Sequence, residues 1–176
     1  NVQDYGTIKL ALDYDTAPRT VDNFVTLINE GFYTGLTFHR IMDGFMIQGG
    51  CPLGNGMGGS ANSIMGEFEY NGIKNDISHK RGVISMARSN DFNSASSQFF
   101  IVHQDSEFLD GQYAAFGYVT EGMEVVDKIC ATSSPTDDNG TISKEAQPII
   151  TSVTVSENPN YVEPLEPVEV EEDTIV

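Results

Sequence analysis

The stretch Phe38-His39-Arg40-Ile41-Met42-Asp43-Gly44-Phe45-Met46-Ile47-Gln48-Gly49-Gly50 decides how this chain is read. Two short apolar runs, 37–42 and 45–48, flank Asp43-Gly44, a pair tolerant of positive φ, and so predict a β-hairpin closed by a two-residue turn. A hairpin needs none of the chemistry this one carries, which is a guanidinium, an amide and two phenyl rings within a few residues. Further along, Ser96-Ser97-Gln98-Phe99-Phe100-Ile101 places Gln98 and Phe100 on one face of a strand, again an amide beside a ring. Phe108-Leu109-Asp110-Gly111 adds apolar surface in a loop. An apolar groove with one cation and a few amides suits a neutral, peptide-like ligand better than a metal, a phosphate or a sugar.

Around that hairpin the pattern is mainly β. Ile8, Leu10 and Leu12 alternate with Thr7, Lys9 and Ala11, as in a strand that ends near Tyr14. Pro18 suits the first turn of a helix; Val21, Phe24, Val25 and Ile28 follow at i, i+3, i+4 and i+7, and Gly31 supplies the left-handed stop. Further strands are expected at 82–88, 97–102, 114–119 and 148–155, and a second helix at about 122–130. Many short strands with two helices predict a barrel or sandwich whose ends the helices cover.

The chain has 176 residues, 39% of them hydrophobic and 10% aromatic, enough for one real core. Its 9 basic and 26 acidic residues give a net charge of −17, which repels a phosphate backbone and argues against a nucleic-acid partner. No apolar run approaches the roughly 20 residues of a membrane span. All basic residues precede Thr151, whereas Ser156 to Val176 holds seven acidic residues and Pro159, Pro164 and Pro167. Residues 156–176 are therefore expected to be a separate acidic tail, extended or disordered, beyond a domain at 1–155. Because residue 1 is Asn and not Met, something upstream is expected to have been removed. The compartment stays open between the cytoplasm and, had a signal been cleaved, a place outside it.

Several motifs get a plain interpretation. Gly54-Asn55-Gly56-Met57-Gly58-Gly59 has the G-x-G-x-x-G spacing, but residues 60–66 show no helical period, so a flexible loop is expected and no dinucleotide cofactor. Cys51 and Cys130 are far apart, without a C-x-x-C or a histidine at zinc-ligand spacing, so no structural metal is expected; the two could pair in an oxidising compartment, but two free thiols in a reducing one are the plainer expectation. His39, His79 and His103 sit in no nucleophile elbow, have no evident third partner and are taken as structural or surface residues. Asp137-Asp138-Asn139-Gly140 is taken as a turn in preference to a glycosylated sequon.

F-H-R-I-x-x-G-F-M-I-Q-G-G, the later S-M-A-R and S-x-S-S-Q-F-F-I, and F-L-D-G-x-Y-A-A-F-G resemble, in the right order from about Thr7 to Val155, the cyclophilin-type peptidyl-prolyl cis-trans isomerases. The S-M-A-R form is closer to bacterial members. The resemblance implies a closed eight-stranded antiparallel β-barrel capped by two α-helices, with the groove on its outer surface. It implies rotation about X-Pro bonds in proline-containing peptides and unfolded chains, assisting folding, by a monomer without cofactor. The alternative is a proline-peptide binding or chaperone module with little turnover.

Carried over by position, Arg40 is the catalytic cation, acting with Phe45 and Gln48. Phe45, Met46, Phe100 and Leu109 form the proline pocket, while Gln48 and Gln98 hold the substrate backbone. Ala87 and Arg88 line the neighbouring groove, and Phe108 and Tyr113 close the other side. Three positions depart from the best-known pattern, since many members have Asn at the place of Arg88, Trp at that of Phe108 and His at that of Tyr113. The resemblance therefore implies weak cyclosporin binding with catalysis retained. The proline-bearing tail offers a segment able to dock in such a groove, although a solvated acidic end is the plainer expectation.

Overall fold

A computed structural model describes residues 1–158. The expectation for the acidic tail lies outside the described residues apart from 156–158, which are exposed and without regular structure. Six strands and two helices follow one another as β1 (Lys9–Leu12), α1 (Pro18–Asn29), β2 (Phe38–Met42), β3 (Met46–Gly49), β4 (Val83–Met86), β5 (Phe99–Val102), β6 (Ala115–Glu121) and α2 (Met123–Thr132). The strands form one antiparallel sheet in the order β1-β6-β4-β5-β3-β2.

Alternation along the central strands divides the core in two. Ile41, Ile47, Ile84, Phe99, Ile101 and Phe116 point inward and pack with α1 and α2. Their neighbours Met46, Val83, Phe100, Val102 and Ala115 form a second cluster on the opposite face, as a side-chain period of two requires. On the inner side, Phe24 of α1 meets the rings of Tyr33, Phe99 and Phe116 at centroid distances of 5.1, 5.5 and 5.1 Å. Pro18 opens α1, which Ala17 does not cap with its side chain. The buried Glu67 carboxylate does that work from a distance, accepting hydrogen bonds from Thr20 N (2.6 Å) and Thr20 Oγ1 (2.8 Å).

Two local expectations need correction. Met42 pairs with Met46 and Phe45 N donates to Met42 O at 3.0 Å, so the β2–β3 connection has three residues, Asp43, Gly44 and Phe45. The two-residue type I′ turn requires positive φ at both central positions; here Gly44 supplies it (φ +79°) and Asp43 does not. The strand expected at 148–155 is reduced to single bridges, Ile149 to Thr37 and Ile150 to Val2. The backbone of this segment divides its hydrogen bonds between two partners: Gly35 N and Phe38 N donate to Ile150 O and Pro148 O, and Gln3 N donates to Ile149 O. No run of consecutive pairs with either partner forms a ladder. Among the described residues the ladder has six strands, and its edges β1 and β2 are not paired with each other.

Candidate functional site

Arg40 and Met42 of β2, Met46 and Gln48 of β3, and Phe100 of β5 share the outer face of the sheet because Arg40 pairs with Gln48 and Gln48 with Phe100. The polar groups form a relay. Arg40 Nη1 donates to Gln48 Oε1 (3.1 Å), Gln48 Nε2 donates to Gln98 Oε1 (3.0 Å), and Gln98 Nε2 donates to Gly56 O (2.9 Å) and Gly58 O (2.7 Å). The Gly-rich loop thus anchors the far end of the relay, and no helix follows it. At the near end Arg40 Nε donates to Asn139 O (2.7 Å) and Nη2 to Met42 Sδ (3.5 Å). A guanidinium has five N–H groups, so among the described residues one on each Nη remains without a partner. Partial burial lowers the Arg40 pKa, with Tyr113 and Asp137 opposing, yet a guanidinium stays charged at any physiological pH.

Beside this relay lies the apolar floor. Met46, Phe100 and Leu109 are buried, with Phe45, Ala87 and Tyr113 packed against the same cluster. Phe100 and Tyr113 meet edge to face at 5.9 Å, and the exposed Phe108 lies 5.5 Å from Phe45 between ring centroids. Ala87 N donates to Gln98 O (3.0 Å), which joins the 87–88 segment to the strand of the relay. Arg88 is committed to its own surroundings. Its Nε and Nη2 donate to Gln112 O (3.0 and 2.7 Å) and its guanidinium sits 5.0, 5.0 and 4.6 Å from the centroids of Phe68, Phe92 and Tyr113. It holds the rim together.

Three features of the site had no evident signal in the sequence. The first is Asn139 O, the backbone carbonyl that holds Arg40. It belongs to the expected 137–140 turn, in which Asp137 Oδ1 accepts the N–H groups of Asn139 and Thr141 (both 3.0 Å). The second is a hydrogen-bonded chain of three side chains behind the pocket, two of them buried. Asp110 Oδ1 lies 2.9 Å from His79 Nδ1, and His79 Nε2 lies 2.9 Å from Ser85 Oγ. His79, for which no third partner was expected, therefore has one. His79 and Ser85 are both fully buried, and this pair supports Phe100, whose ring stacks on His79 at 5.9 Å. Burial lowers the His79 pKa against the pull of Asp110, consistent with a neutral ring.

The third is His39, whose Nδ1 is buried without a hydrogen-bond partner among the described residues; burial first, then the charge of Arg40, pushes its pKa down to about 4. Cys51 and Cys130 are both free and buried. Among the described residues no helix is long and apolar enough to cross a membrane.

Residues 1–155 match the family model described as cyclophilin type peptidyl-prolyl cis-trans isomerase. The chain is 49% identical over 126 residues to a peptidyl-prolyl cis-trans isomerase of Helicobacter pylori, covering 70% of this chain and 74% of that one. It is 41% identical over 146 residues to peptidyl-prolyl cis-trans isomerase B of Bacillus subtilis, covering 83% and 93%. Among solved structures it is similar to a Cryptosporidium parvum cyclophilin-type peptidyl-prolyl cis-trans isomerase crystallised in the presence of the dipeptide Ala-Pro. The TM-score is 0.77 at 29% identity, over 88% of this chain and 96% of that one.

Proposed function

The chain belongs to the cyclophilin-type peptidyl-prolyl cis-trans isomerases and catalyses rotation about X-Pro bonds, and from that premise we propose how its own residues do so. Amide resonance makes this rotation slow, with an activation energy of about 20 kcal/mol and uncatalysed times of about 10–100 s. No bond breaks, so the site needs only to fit the twisted amide better than either planar isomer. In the twisted state the proline nitrogen regains a lone pair, and a free Nη–H of Arg40 donates to it. The planar amide offers no such acceptor, so this hydrogen bond favours the transition state alone.

The other residues have supporting roles. Phe45, Met46, Phe100 and Leu109 hold the proline ring, with Phe108 and Tyr113 at its margin. Gln48 and Gln98 hold the flanking backbone while the other side of the bond turns, and Ala87 and Arg88 bound the adjoining groove. The ligands are proline-containing peptides and unfolded chains, and Phe108 at the place of the family's Trp makes for weak cyclosporin binding. Residues 1–155 act as a monomeric unit to which the acidic segment is an appendage. The bridges at Val2, Ile149 and Ile150 support closure of the six-stranded sheet into the family's eight-stranded barrel.

The observation that carries this mechanism is the clamped Arg40, fixed from Asn139 O on one side and Gln48 Oε1 on the other over an apolar floor. Exchange between cis and trans forms of a short Ala-Pro peptide, followed by NMR with catalytic protein, tests it. Arg40→Ala is expected to lower kcat/KM by about 10²–10³-fold, the usual effect of losing one preorganised donor, with the fold intact. Unchanged turnover would remove Arg40 from the mechanism. Peptide binding without acceleration by the unaltered chain would instead favour a binding module.

A further inference from the structure

Away from the proline groove, the fold brings together three side chains that the sequence keeps far apart. Asp43 stands in the β2–β3 turn, His103 directly follows β5, and Cys130 lies on α2. One ligand atom from each is within 4.8 Å of those of the other two. Burial increases from one to the next, with the Asp43 side chain 73% exposed, that of His103 16% exposed and Cys130 buried, so the cluster opens to solvent on one side only.

The imidazole is already oriented. His103 Nε2 lies 3.0 Å from Asp127 Oδ1, and Asp127 is itself held by Arg81 through two arms of 2.7 Å. A carboxylate at Nε2 keeps the proton on that nitrogen and leaves the lone pair on Nδ1. Nδ1 accepts Gly44 N–H at 2.9 Å and faces Asp43 Oδ1 at 3.5 Å. Histidines that bind metals are fixed in this way, the second nitrogen donating to a carboxylate behind them.

We propose that Asp43, His103 and Cys130 form a Zn²⁺ site, with Cys130 Sγ, His103 Nδ1 and an Asp43 carboxylate oxygen as ligands and water in the fourth position. Sulfur, imidazole and carboxylate together are a donor set that zinc accepts, and three protein ligands plus water is one of its recurrent arrangements. Tetrahedral bonds of about 2.0–2.3 Å put ligand atoms about 3.3–3.8 Å apart. Asp43 Oδ1 and His103 Nδ1, 3.5 Å apart, already have this spacing, so the closing of about an ångström that remains is toward Cys130 Sγ. On binding, the Cys130 thiol gives its proton to solvent and forms the sulfur–metal bond. Gly44 N–H releases Nδ1, whose lone pair goes to the ion. The hairpin turn, the end of β5 and α2 are then tied at one point. His103 N already donates to Phe45 O at 2.8 Å, so the clamped turn is the one that carries Phe45.

The test uses the full chain, reduced and stripped of metal. Zn²⁺ is titrated in competition with a chromophoric chelator, and Co²⁺ is added separately while the thiolate-to-cobalt charge-transfer band is followed. One equivalent is expected to bind. Cys130→Ser should abolish the band and weaken Zn²⁺ binding by at least about tenfold, Asp43→Asn should weaken it as well, and Asp127→Asn should weaken it about 10–100-fold through the orientation of His103. Cys51→Ser should change none of these. Zn²⁺ should raise the melting temperature of the unaltered chain and not that of Cys130→Ser, which also reports whether the variant folds. Failure to compete with the chelator would overturn the proposal. So would binding that survives both Cys130→Ser and Asp43→Asn, or a band lost with Cys51 and kept without Cys130.

Discussion

Replacing Arg40 by lysine keeps the charge and discards the geometry, which separates the two contributions a cation can make in this groove. The guanidinium is spread over three partners at once, Asn139 O at 2.7 Å, Gln48 Oε1 at 3.1 Å and Met42 Sδ at 3.5 Å, with one N–H on each Nη still available. An ammonium is a single point on a flexible stem. Reaching Gln48 takes it from Asn139, and neither position returns a donor fixed toward the twisted amide.

The ground-state cost is modest, because the Asn139 contact is exposed; one lost hydrogen bond there is worth about 1 kcal/mol. The transition-state cost is larger, about 2.7–4 kcal/mol for one preorganised donor, or roughly a hundredfold or more in rate at 1.36 kcal/mol per decade. Arg40→Lys is therefore expected to lower kcat/KM by about 10²-fold in the Ala-Pro exchange assay. Peptide affinity by titration should stay within about threefold, and the melting temperature should fall by only a few degrees. A lysine variant keeping a third or more of the turnover would show that positive charge alone suffices and that the clamp has no catalytic role.

Two other outcomes follow from contacts outside the groove. Gly140 has φ +85°, and a Cβ there would come within 2.6 Å of Met42 Cγ and 2.7 Å of Ile41 O. Gly140→Ala should cost about 1–3 kcal/mol in strain, measured by urea unfolding, and lower kcat by shifting the turn that offers Asn139 O to Arg40; full activity would mean that this carbonyl does not position the cation. His39 is neutral in the fold, with its pKa lowered to about 4, and titrates near 6.5 when unfolded. Between those values the unfolded chain binds the extra proton, so stability is full above about pH 6.5 and falls, by up to about 3 kcal/mol, as pH drops toward 4. Urea midpoints at pH 7.5, 5.5 and 4.5 should show this slope, and His39→Gln should flatten it; equal slopes would refute the assignment.

Much of the outer-face groove was legible because its residues lie on short strands, where the alternation of side chains is local. Arg40, Met46, Gln48 and Phe100 fall where the period of two puts them, with Gln98 one residue ahead of β5, and Ile41, Ile47 and Ile101 take the opposite face for the same reason. The hairpin turn came out one residue longer than expected because turn length depends on which of Asp43 and Gly44 adopts positive φ. The segment 148–155 forms bridges instead of a strand because its hydrogen bonds divide between residues 35–38 and the N-terminus, a division its apolar alternation does not reveal.

The sequence by itself determined the two faces of the sheet, the amphipathic α1 and the chemical character of the groove, since each rests on periodicity and residue type within a short window. Tertiary structure alone decided which groups complete them: the Asn139 carbonyl that holds Arg40, the Asp110–His79–Ser85 chain that backs Phe100, the aromatic box that occupies Arg88, and the meeting of Asp43, His103 and Cys130. Each of these joins segments far apart in the chain, and their separation in space is set by the strand order β1-β6-β4-β5-β3-β2 and the paths of the loops between them. Local pattern is silent about that order because strands distant in the chain pair side by side, as β1 does with β6.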